Sequence, residues 1–547
     1  MLAKILKRAL RRLTGSGGDA ARSVGEAGRL AAQTGDLPRA RELLEHATRL
    51  DPGSADALAD LGNVLGMLGE PDAAVRSFAA ALGIDSRHVA AHNNLGLLLG
   101  SIGDRTGALT HFRAAMDIDP QFAPAIRNLV GWLPDSEVPT EDISMLGQIV
   151  ARYPDHGEAH AALGALHLRG AFDATPALAA LDRAIALGID DADVHARRGV
   201  ALQELGCTEE ALAALDCALA RNPNHASARF HRALALLALG RFAEGWPGYE
   251  TRLVSEDLPH RALPAPRWAG EPLEGRTILV HAEQGVGDEI LFASCIPDVI
   301  ARAGHCVIEC DPRLASLYRR SFPQATIIAG RQQEPLTPSG ELRIDYQIPV
   351  ASLPVHLRRA SADFPARAGY LRADPAQIAE WRERLAASGA GRRVGISWRG
   401  GTVRSRGPVR SLEASALASL LRMPAVHWVS LQRDADVAEL AALGEQYGTR
   451  IDAWPEALED LDATAALVSA VDLTISIDNT VAQLAGGLGV HGWVLVPVGA
   501  EWRYGTTGNA IIWYPGVRVF RQRRRGEWNA VLDDLCRELR TETEARY

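Results

Sequence analysis

The sequence predicts a repeat solenoid followed by two α/β lobes. Small and large apolar residues recur every 34 residues through the first half of the chain. The recurrence stops near Val254, and units of strand, loop and helix replace it from Thr277 onward. Ten of the eleven tryptophans lie at or after Trp246, which marks the same boundary. A period of this length is typical of a solenoid, and alternating strands and helices are typical of a parallel sheet.

Composition narrows the class of protein. A chain of 547 residues is too long for one core, and its net charge of −9 argues against general nucleic-acid binding. The six cysteines form no C-x-x-C pair, which predicts neither a zinc site nor a disulfide framework and fits a cytoplasmic protein. The only lysines are Lys4 and Lys7, so a Walker A loop, a kinase lysine and a Schiff base are excluded.

The 34-residue period carries a fixed pattern of side chains. The second and third units show it as Leu61-Gly62, Ala74, Phe78, Ala81 and Leu95-Gly96, Ala108, Phe112, Ala115. This pattern resembles the tetratricopeptide repeat (TPR), which implies two antiparallel helices per unit and an α-helical TPR solenoid. Its small residues let the helices approach, and its large residues fill the space between units. Such stacks present a concave groove to a peptide or protein, so a protein partner is expected.

The sixth position of each repeat lies on the helix that lines this groove. It holds Glu26, Asp60, Asn94 and Asn128 in successive units. An amide there can bond an extended peptide backbone through both its donor and its acceptor. Asp60, Asn94 and Asn128 are therefore candidate acceptor-binding residues. Ordinary polarity of an exposed helix face explains the same residues equally well.

The sequence predicts five segments. The first is a basic N-terminal helix over 1–20, for which weak contact to an anionic membrane surface is an alternative role. Repeats follow over 21–254, with one interrupted unit near 130–156. A linker over 255–276 then leads to a first lobe over 277–390 and a second lobe over 391–547. No apolar run is long enough to span a membrane.

Each lobe opens on a buried strand. The predicted strands of the first lobe are 277–280, 305–310, 325–328 and 345–349, and those of the second are 393–397, 426–431, 473–477 and 493–496. Two such series predict doubly wound, Rossmann-like lobes that face each other across a cleft. Ligands then bind at the carboxyl ends of the strands.

The first strand leads into Gln284-Gly285-Val286-Gly287-Asp288, and a helix is predicted over Glu289–Ala303. The glycines permit a sharp turn that places Asp288 at the start of this helix, facing the cleft. A carboxylate there can accept a proton from an attacking hydroxyl group, although the helix dipole is expected to keep its pKa low. An N-cap is the alternative role.

In the second lobe, a buried strand ends before Asp478-Asn479-Thr480, and a helix follows. The free backbone N–H groups of that helix and the polar side chains of the turn are suited to holding a phosphate. A capped helix without a ligand is the alternative.

Four ordered motifs carry a second resemblance. They lie at His281–Phe292, Val394–Gly400 and Asp472–Gly489, and in the series Trp502-Arg503, Trp513-Tyr514-Pro515 and Phe520-Arg521-Gln522. Together they resemble bacterial TPR glycosyltransferases, whose catalytic half is similar to the heptosyltransferase family. The resemblance implies a GT-B fold, an acceptor on the first lobe and a nucleotide-sugar donor on the second.

The resemblance also implies roles for particular residues. Asp288 is the candidate base, and Gln284, Gly285 and Gly287 lie on its acceptor side. The donor is expected to contact Trp398, Arg399, Gly400, Arg410, Gln432, Asp478, Asn479, Thr480 and Gln483. Arg410 suits the leaving phosphate because a guanidinium can bond two oxygens. Gln483 stands where the family usually has histidine, and a glutamine forms hydrogen bonds but carries no charge.

The expected function is a metal-independent, inverting glycosyltransferase that modifies a protein acceptor, with no cofactor beyond its donor substrate. By resemblance, flagellin is the first specific acceptor and a CMP-nonulosonic acid a specific donor. Asp117 and Asp119, like Asp460 and Asp462, match the D-x-D metal motif of another glycosyltransferase fold but are expected to be structural. The alternatives are a non-catalytic scaffold with a decayed transferase lobe and a transferase acting on lipopolysaccharide or another glycan.

Overall fold

A computed structural model describes residues 17–132, 140–170, 173–254, 263, 265–330, 343–401 and 406–544. The first part is helical. Its helices are α1 (Gly17–Gln33), α2 (Leu37–Leu50), α3 (Ala55–Met67), α4 (Pro71–Ile84), α5 (Val89–Ser101), α6 (Arg105–Ile118), α7 (Ala123–Trp132), α8 (Thr140–Arg152), α9 (Gly157–Gly170), α10 (Ala174–Ala186), α11 (Ala192–Glu204), α12 (Thr208–Arg221), α13 (Ala226–Ala238) and α14 (Phe242–Tyr249).

These helices pair as antiparallel hairpins because a glycine on one helix faces a large residue on the next. A Cβ on Gly96 would lie 2.7 Å from Cε1 of Phe112, and a Cβ on Gly62 would lie 3.0 Å from Cδ1 of Phe78. Phe78 and Phe112 are fully buried. The 34-residue pattern is therefore a packing pattern, as predicted. Residues 1–16 of the predicted basic helix and 133–139 of the interrupted unit lie outside the described residues.

The remainder alternates strands and helices. The strands are β1 (Thr277–His281), β2 (His305–Cys310), β3 (Thr326–Ala329), β4 (Tyr346–Pro349), β5 (Arg392–Ser397), β6 (Val426–Ser430), β7 (Ile451–Asp452), β8 (Leu473–Ile477), β9 (Gly492–Val496) and β10 (Val517–Arg521). The helices are α15 (Val286–Phe292), α16 (Ile296–Ile300), α17 (Ala315–Ser321), α18 (Pro354–Leu357), α19 (Pro375–Ser388), α20 (Gly407–Arg410), α21 (Ala418–Leu421), α22 (Val437–Tyr447), α23 (Pro455–Glu459), α24 (Leu461–Ala470), α25 (Thr480–Leu488) and α26 (Asn529–Glu544).

The strands form two parallel sheets, in the orders β3-β2-β1-β4 and β10-β9-β8-β5-β6-β7. Counted within its lobe, the second sheet has the strand order 3-2-1-4-5-6, which is the doubly wound order. The expectation of a C-terminal α/β region is confirmed. β7 and β10 were missed because β7 has two residues and β10 alternates arginine with apolar residues at the sheet edge.

The single helix predicted over Glu289–Ala303 is wrong. The chain forms α15, a 3₁₀ turn over Ala293–Cys295 and then α16. Pro297 at the start of α16 lacks the N–H group that a continuous helix requires, so the helix breaks there. The break makes α15 a short helix at the carboxyl edge of the first sheet.

The chain divides into two compact units, Met1–Asp190 and Asp191–Tyr547. The second unit contains α11–α14, and Phe242, Trp246 and Tyr249 of α14 share a core with the α/β region. Trp246 is 1% exposed, its Nε1 donates to the carbonyl oxygen of Arg358 at 2.7 Å, and its ring lies 5.5 Å from that of Trp502.

The chain segment after these repeats is only partly described. Residues 255–262 and 264 of the predicted linker lie outside the described residues. Trp268 in its second half is docked, because it is 4% exposed and its Nε1 donates to the carbonyl oxygen of Glu271. None of the described helices has both the length and the apolar character needed to cross a bilayer.

Candidate functional site

The carboxyl ends of β1 and β8 bring two predicted site residues together within the second compact unit. Asp288 lies in the first turn of α15, and Asp478 directly follows β8. The N-cap of α15 is Gly285, so the alternative of Asp288 as an N-cap is wrong. A Cβ on Gly287 would meet Cγ of Gln483 at 3.6 Å, which places the first turn of α15 against α25.

Arg503 joins the two carboxylates. Its Nη2 donates to Oδ1 of Asp288 at 2.6 Å, and its Nη1 lies 3.5 Å from Oδ1 of Asp478. Arg503 belongs to the 3₁₀ turn Trp502–Tyr504 that follows β9. Although burial lowers the pKa of Arg503, Asp288 and Asp478 raise it well above its ordinary value. One buried cation therefore bridges a carboxylate from each lobe.

Asp478 lies at the centre of a dense polar cluster. Its side chain is 4% exposed. Nη1 of Arg410 lies 3.3 Å from its Oδ2, and the Tyr504 hydroxyl group donates to its Oδ1 at 2.6 Å. Burial and the adjacent Asp478 raise the pKa of Tyr504, so the tyrosine remains a donor at neutral pH. Arg410 thus lies beside the turn after β8, as the sequence predicted.

Asp288 differs from the expectation in its electrostatics. Burial raises the pKa of Asp288, and Glu501 and Asp478 act in the same direction, whereas Arg503 lowers it. The net direction of the pKa of Asp288 is upward, whereas a low pKa was expected from the sequence. The side chain is still 31% exposed, which leaves it accessible to a substrate. A carboxylate with a raised pKa is a stronger base.

Gln483 is part of the same cluster. It is 2% exposed, and its Nε2 lies 3.4 Å from Oδ1 of Asp478. The Tyr514 hydroxyl group donates to its Oε1 at 2.8 Å. The glutamine thus holds tyrosine and carboxylate in place through neutral hydrogen bonds.

Several predicted donor residues hold the second lobe together. Oε1 of Gln432 accepts from the backbone N–H groups of Trp398 and Arg399, both at 2.8 Å. The indole of Trp398 is 1% exposed and belongs to the core of the second sheet. Trp398 was expected to line the donor site, but its indole is buried in the core instead. Arg399 extends away to Glu439, with which it makes two hydrogen bonds.

Asn479 is the N-cap of α25, which agrees with the alternative of a capped helix. Its Oδ1 accepts from the N–H of Val481 at 3.0 Å, and its Nδ2 donates to Oγ of Ser397 at 2.8 Å. A Cβ on Gly400 would lie 2.9 Å from Cβ of Asn479, so this glycine permits a close approach of two loops. Thr480 begins α25, beside the turn that holds Asp478.

The predicted acceptor side contacts the last repeat. Nε2 of Gln284 donates to the Tyr249 hydroxyl group at 3.1 Å. Nearby, Arg252 donates to both carboxylate oxygens of Glu283, and both side chains are buried. The loop before α15 is thereby fixed to the end of the repeats.

The first compact unit contains the predicted groove residues. Nδ2 of Asn128 donates to Asn93 at 2.8 Å, Nδ2 of Asn93 donates to Asn94 at 2.9 Å, and Nδ2 of Asn94 donates to Asn63 at 2.9 Å. The sequence prediction included Asn94 and Asn128 but missed the amides that connect them. Asp60 lies outside this chain of amides and pairs with Arg29 at 2.9 Å.

A cavity of about 330 Å³ lies within the second unit. Residues of α11 and α13, among them Gln203, Glu204 and His231, form one wall, and the segments after β9 and β10 form the other. A smaller cleft shares Arg406, Pro497 and Glu501 with this cavity. That cleft is also lined by Arg410, Asp478 and Tyr504, so the two spaces meet beside the polar cluster.

The two D-x-D sequences have structural contacts. Asp460 caps α24 by accepting from the N–H of Asp462, and Asp462 accepts two hydrogen bonds from Arg320 at 2.6–2.7 Å. Asp119 accepts from the N–H of Gln121. Within the described residues, no group of three or more histidine, cysteine or acidic side chains is arranged to hold a metal ion.

Sequence reasoning missed Arg503, Tyr504 and Tyr514 as site residues. The signal was present, because Trp502-Arg503 and Trp513-Tyr514 belong to the last of the four resembling motifs. They lie far along the chain from Asp288 and in a loop with no strand or helix periodicity. The segment that follows β9 places them beside Asp288 and Asp478 in the folded chain.

Comparison with known proteins identifies the helical part. A sequence model of the tetratricopeptide repeat family matches residues 6–55, 59–121 and 196–255. The chain is 31% identical over 318 residues to protein FlbA of Caulobacter vibrioides, a match that covers 55% of this chain. It covers 52% of FlbA, so the chain spans about half the length of this curated relative.

Two solved structures are similar to parts of the chain. PilF of Pseudomonas aeruginosa is 21% identical, with a TM-score of 0.34 over 40% of this chain and 99% of PilF. YrrB, described as a TPR protein with an unusual peptide-binding site, is 22% identical, with a TM-score of 0.26 over 32% of this chain and 89% of YrrB. From the repeat match and the two sheets, the chain has a tetratricopeptide repeat region followed by a C-terminal region of parallel sheets and helices.

Proposed function

We propose that this protein is a metal-independent glycosyltransferase that transfers a sugar from a nucleotide-sugar donor to a protein acceptor held by its repeats. The observation that carries the proposal is the bridge from Asp288 through Arg503 to Asp478. It puts a base of raised pKa within reach of two guanidinium groups, at the carboxyl ends of strands from two parallel sheets. In this proposal the two sheets are the lobes of a GT-B fold.

The proposed reaction is a single displacement. The acceptor hydroxyl oxygen attacks the anomeric carbon while its proton passes to Asp288. The bond from the anomeric carbon to the phosphate oxygen breaks, and its electron pair leaves with the nucleotide. One displacement inverts the configuration at that carbon. Arg410 and Arg503 stabilise the negative charge that develops on the phosphate, which is usually the largest contribution of such a site.

The free site is neutralised by its own carboxylates. Arg503 pairs with Asp288 at 2.6 Å, and Arg410 lies 3.3 Å from Asp478. A phosphate that binds beside Arg503 competes with Asp288 for this guanidinium. Donor binding is therefore proposed to release Asp288, so that the base becomes available only when a donor is present.

The repeats are proposed to bind the acceptor. The connected amides from Asn63 to Asn128 lie on successive first helices α3, α5 and α7 and offer donors and acceptors at regular intervals. An extended polypeptide backbone also carries donors and acceptors at regular intervals. Flagellin is the first acceptor to test and a CMP-nonulosonic acid the first donor, both on the resemblance of the four motifs.

A non-catalytic scaffold is the second candidate. It is favoured by the burial of Trp398 in the core and by the side chains of Gln432 and Asn479, which already bond to the protein itself. A glycan-modifying transferase is the third. Intact-mass measurement of secreted flagellin and of total glycoprotein, with and without the gene, separates a protein acceptor from a glycan acceptor.

Calorimetry of the full chain with a panel of nucleotides and nucleotide sugars tests the proposal. Arg410→Ala is expected to weaken binding by about 1.5–3 kcal/mol, the range for a hydrogen bond to a charged group. Thr480→Val should weaken it less, because one neutral hydroxyl group is lost and the shape is kept. Arg382→Ala, on the exposed face of α19, is the matched control. A folded protein that binds no member of the panel supports the scaffold instead.

A further inference from the structure

Arg406 has a backbone conformation that needs a cause. Its φ of 59° and ψ of 27° are left-handed, and this region is costly for any residue other than glycine. Arg406 is the N-cap of the short helix α20, whose last residue is Arg410. The backbone of Arg406 therefore sets the direction in which α20 begins and in which it carries Arg410.

The side chain of Arg406 is held by the repeats. Its Nη2 donates to Oε2 of Glu204 at 2.7 Å and to the carbonyl oxygen of Gly499 at 2.9 Å. The side chains of Arg406 and Glu204 are 19% and 12% exposed. Arg525 joins from a third segment, with its Nη1 donating to the carbonyl oxygen of Glu204 at 3.1 Å. Low exposure makes such an ion pair less sensitive to screening by salt.

The backbones at this contact are also close. Gly499 lies in the segment after β9, and a Cβ there would be 2.5 Å from the carbonyl oxygen of Glu204 and 2.6 Å from that of Gln203. Its φ of 67° is left-handed, so a glycine is required on both grounds. The carboxyl end of α11 therefore abuts the segment after β9.

The path from Glu204 to the polar cluster is short. Arg406 lines both the cavity beside α11 and the cleft that contains Arg410 and Asp478. From Arg406, α20 leads to Arg410, whose Nη1 lies 3.3 Å from Asp478. The last repeats and the polar cluster are thus connected through the ion pair of Glu204 with Arg406 and the turn of helix that follows Arg406.

We propose that Glu204 is a positioning residue of the transfer site, which acts by holding Arg406 and thereby fixing Arg410 beside Asp478. The proposal rests on the proposed function, because it takes Arg410 as a ligand of the donor phosphate. It gives the last repeats a part in the donor site.

Hydrogen exchange tests the positioning without any ligand. The N–H groups of Val409 and Arg410 donate to the carbonyl oxygen of Arg406, and that of Leu412 donates to Trp398. In the full chain, Glu204→Gln is expected to speed exchange in peptides covering 406–412. Glu210→Gln, exposed on α12, is the matched control and should leave exchange unchanged. Equal exchange in the two variants would overturn the proposal.

Nucleotide binding tests the consequence. Glu204→Gln is expected to lower the affinity for the best nucleotide of the panel about 2- to 30-fold, the usual range of coupling through a packed network. In an Arg410→Ala background, the same change should have no further effect, because its only route to the ligand is gone. A merely structural role would lower affinity equally in both backgrounds and would contradict the proposal.

A second variant keeps the test decisive if Glu204→Gln does not fold. Arg406→Gly accepts the left-handed conformation but removes the guanidinium, and it should reproduce both the faster exchange and the lower affinity. Unchanged exchange and affinity in this variant would overturn the proposal. If the wild-type chain binds no nucleotide, the proposed function fails, while the exchange result still decides whether Glu204 positions α20.

Discussion

At the scale of residues, the candidate site depends on how buried charges are compensated. Asp478 has contacts with Arg410, Arg503 and Tyr504, whereas Asp288 pairs with Arg503 and remains partly exposed. The two carboxylates therefore have different surroundings. A carboxylate with many donors is suited to holding other groups in place, and an accessible one of raised pKa is suited to accepting a proton.

We predict that Asp288→Asn abolishes transfer but does not weaken nucleotide binding, because a neutral amide competes less than a carboxylate for the Arg503 guanidinium. The amide keeps the shape but cannot accept the proton, and loss of a general base typically lowers the rate about 10²- to 10⁴-fold. The measurement is turnover together with calorimetry of the same preparation. Asp478→Asn is the comparison and should weaken nucleotide binding, because it disturbs Arg410. Near-normal turnover in Asp288→Asn would contradict its role as a base.

Glu289 leads to a prediction about pH. It is 3% exposed, and burial raises its pKa to about 8, while a backbone hydrogen bond from Asp311 lowers it. Because the folded pKa lies above the unfolded value, the folded protein binds more protons, and Glu289 lowers stability as pH rises from about 4.5 to 8. Glu289→Gln removes this titration. We expect the variant to gain about 2–5 kcal/mol over wild type on going from about pH 5 to about pH 9.

Denaturant unfolding at the two pH values measures that gain. Glu274→Gln, exposed before β1, is the control and should follow wild type. Parallel pH dependence in wild type and Glu289→Gln would show that this carboxyl group does not titrate on unfolding in that range.

At the scale of elements, the repeats depend on the absence of a side chain. A Cβ on Gly96 would lie 2.7 Å from Cε1 of Phe112 and 3.1 Å from the carbonyl oxygen of Ala108. The second contact is with backbone, which cannot move without separating α5 from α6. The close approach of this hairpin therefore requires glycine at this position of the repeat.

We predict opposite effects for two glycine-to-alanine changes. Gly96→Ala should destabilise the first compact unit by about 1–3 kcal/mol, the usual cost of overpacking. Gly147→Ala should stabilise it by about 0.5–1 kcal/mol, because this residue lies in the middle of α8 and an added Cβ would have no atom within 4 Å. Thermal unfolding of both variants checks the signs. If both substitutions destabilise the protein, helix propensity alone does not determine the effect of the change at Gly147.

At the scale of the whole molecule, the last repeats pack against the α/β region and share its core. Trp246 and Tyr249 share a core with Phe292 and Trp502, and Arg252 neutralises the buried Glu283. Removing the last repeats would expose the aromatic rings of Phe292 and Trp502 and would leave the buried carboxylate of Glu283 unpaired. The loss of one partner of a buried ion pair typically costs about 3–5 kcal/mol.

We predict that a fragment of residues 191–547 folds and that a fragment of residues 255–547 does not. The first keeps α11–α14 with the two sheets, and the second loses the residues that complete their core. Soluble yield and cooperative thermal unfolding of the two fragments are the measurements. An equally cooperative transition in the shorter fragment would contradict the packing argument.

Local sequence patterns were sufficient to predict the helical repeats, most strands of both sheets and the turns that hold Asp288 and Asp478. These features depend on the periods of strands, helices and repeats and on turn residues, all of which are local. The resemblance of ordered motifs also grouped Arg410 with Asp478, and the two side chains lie 3.3 Å apart in the structure. What a residue contributes through its neighbours along the chain can therefore be predicted without a structure.

Contacts between residues that are distant in the sequence could be identified only from the tertiary structure. Arg503 and Asp288 are 215 residues apart, and Arg406 and Glu204 are 202 apart. No local sequence period relates the two residues of such a pair, because their contact depends on the path of the whole chain between them. The same holds for Trp398 and Asn479, whose motif positions predicted a ligand surface while packing placed one in the core and the other in a helix cap. Burial and hydrogen-bond satisfaction are properties of the assembled fold, and they set the pKa of Asp288.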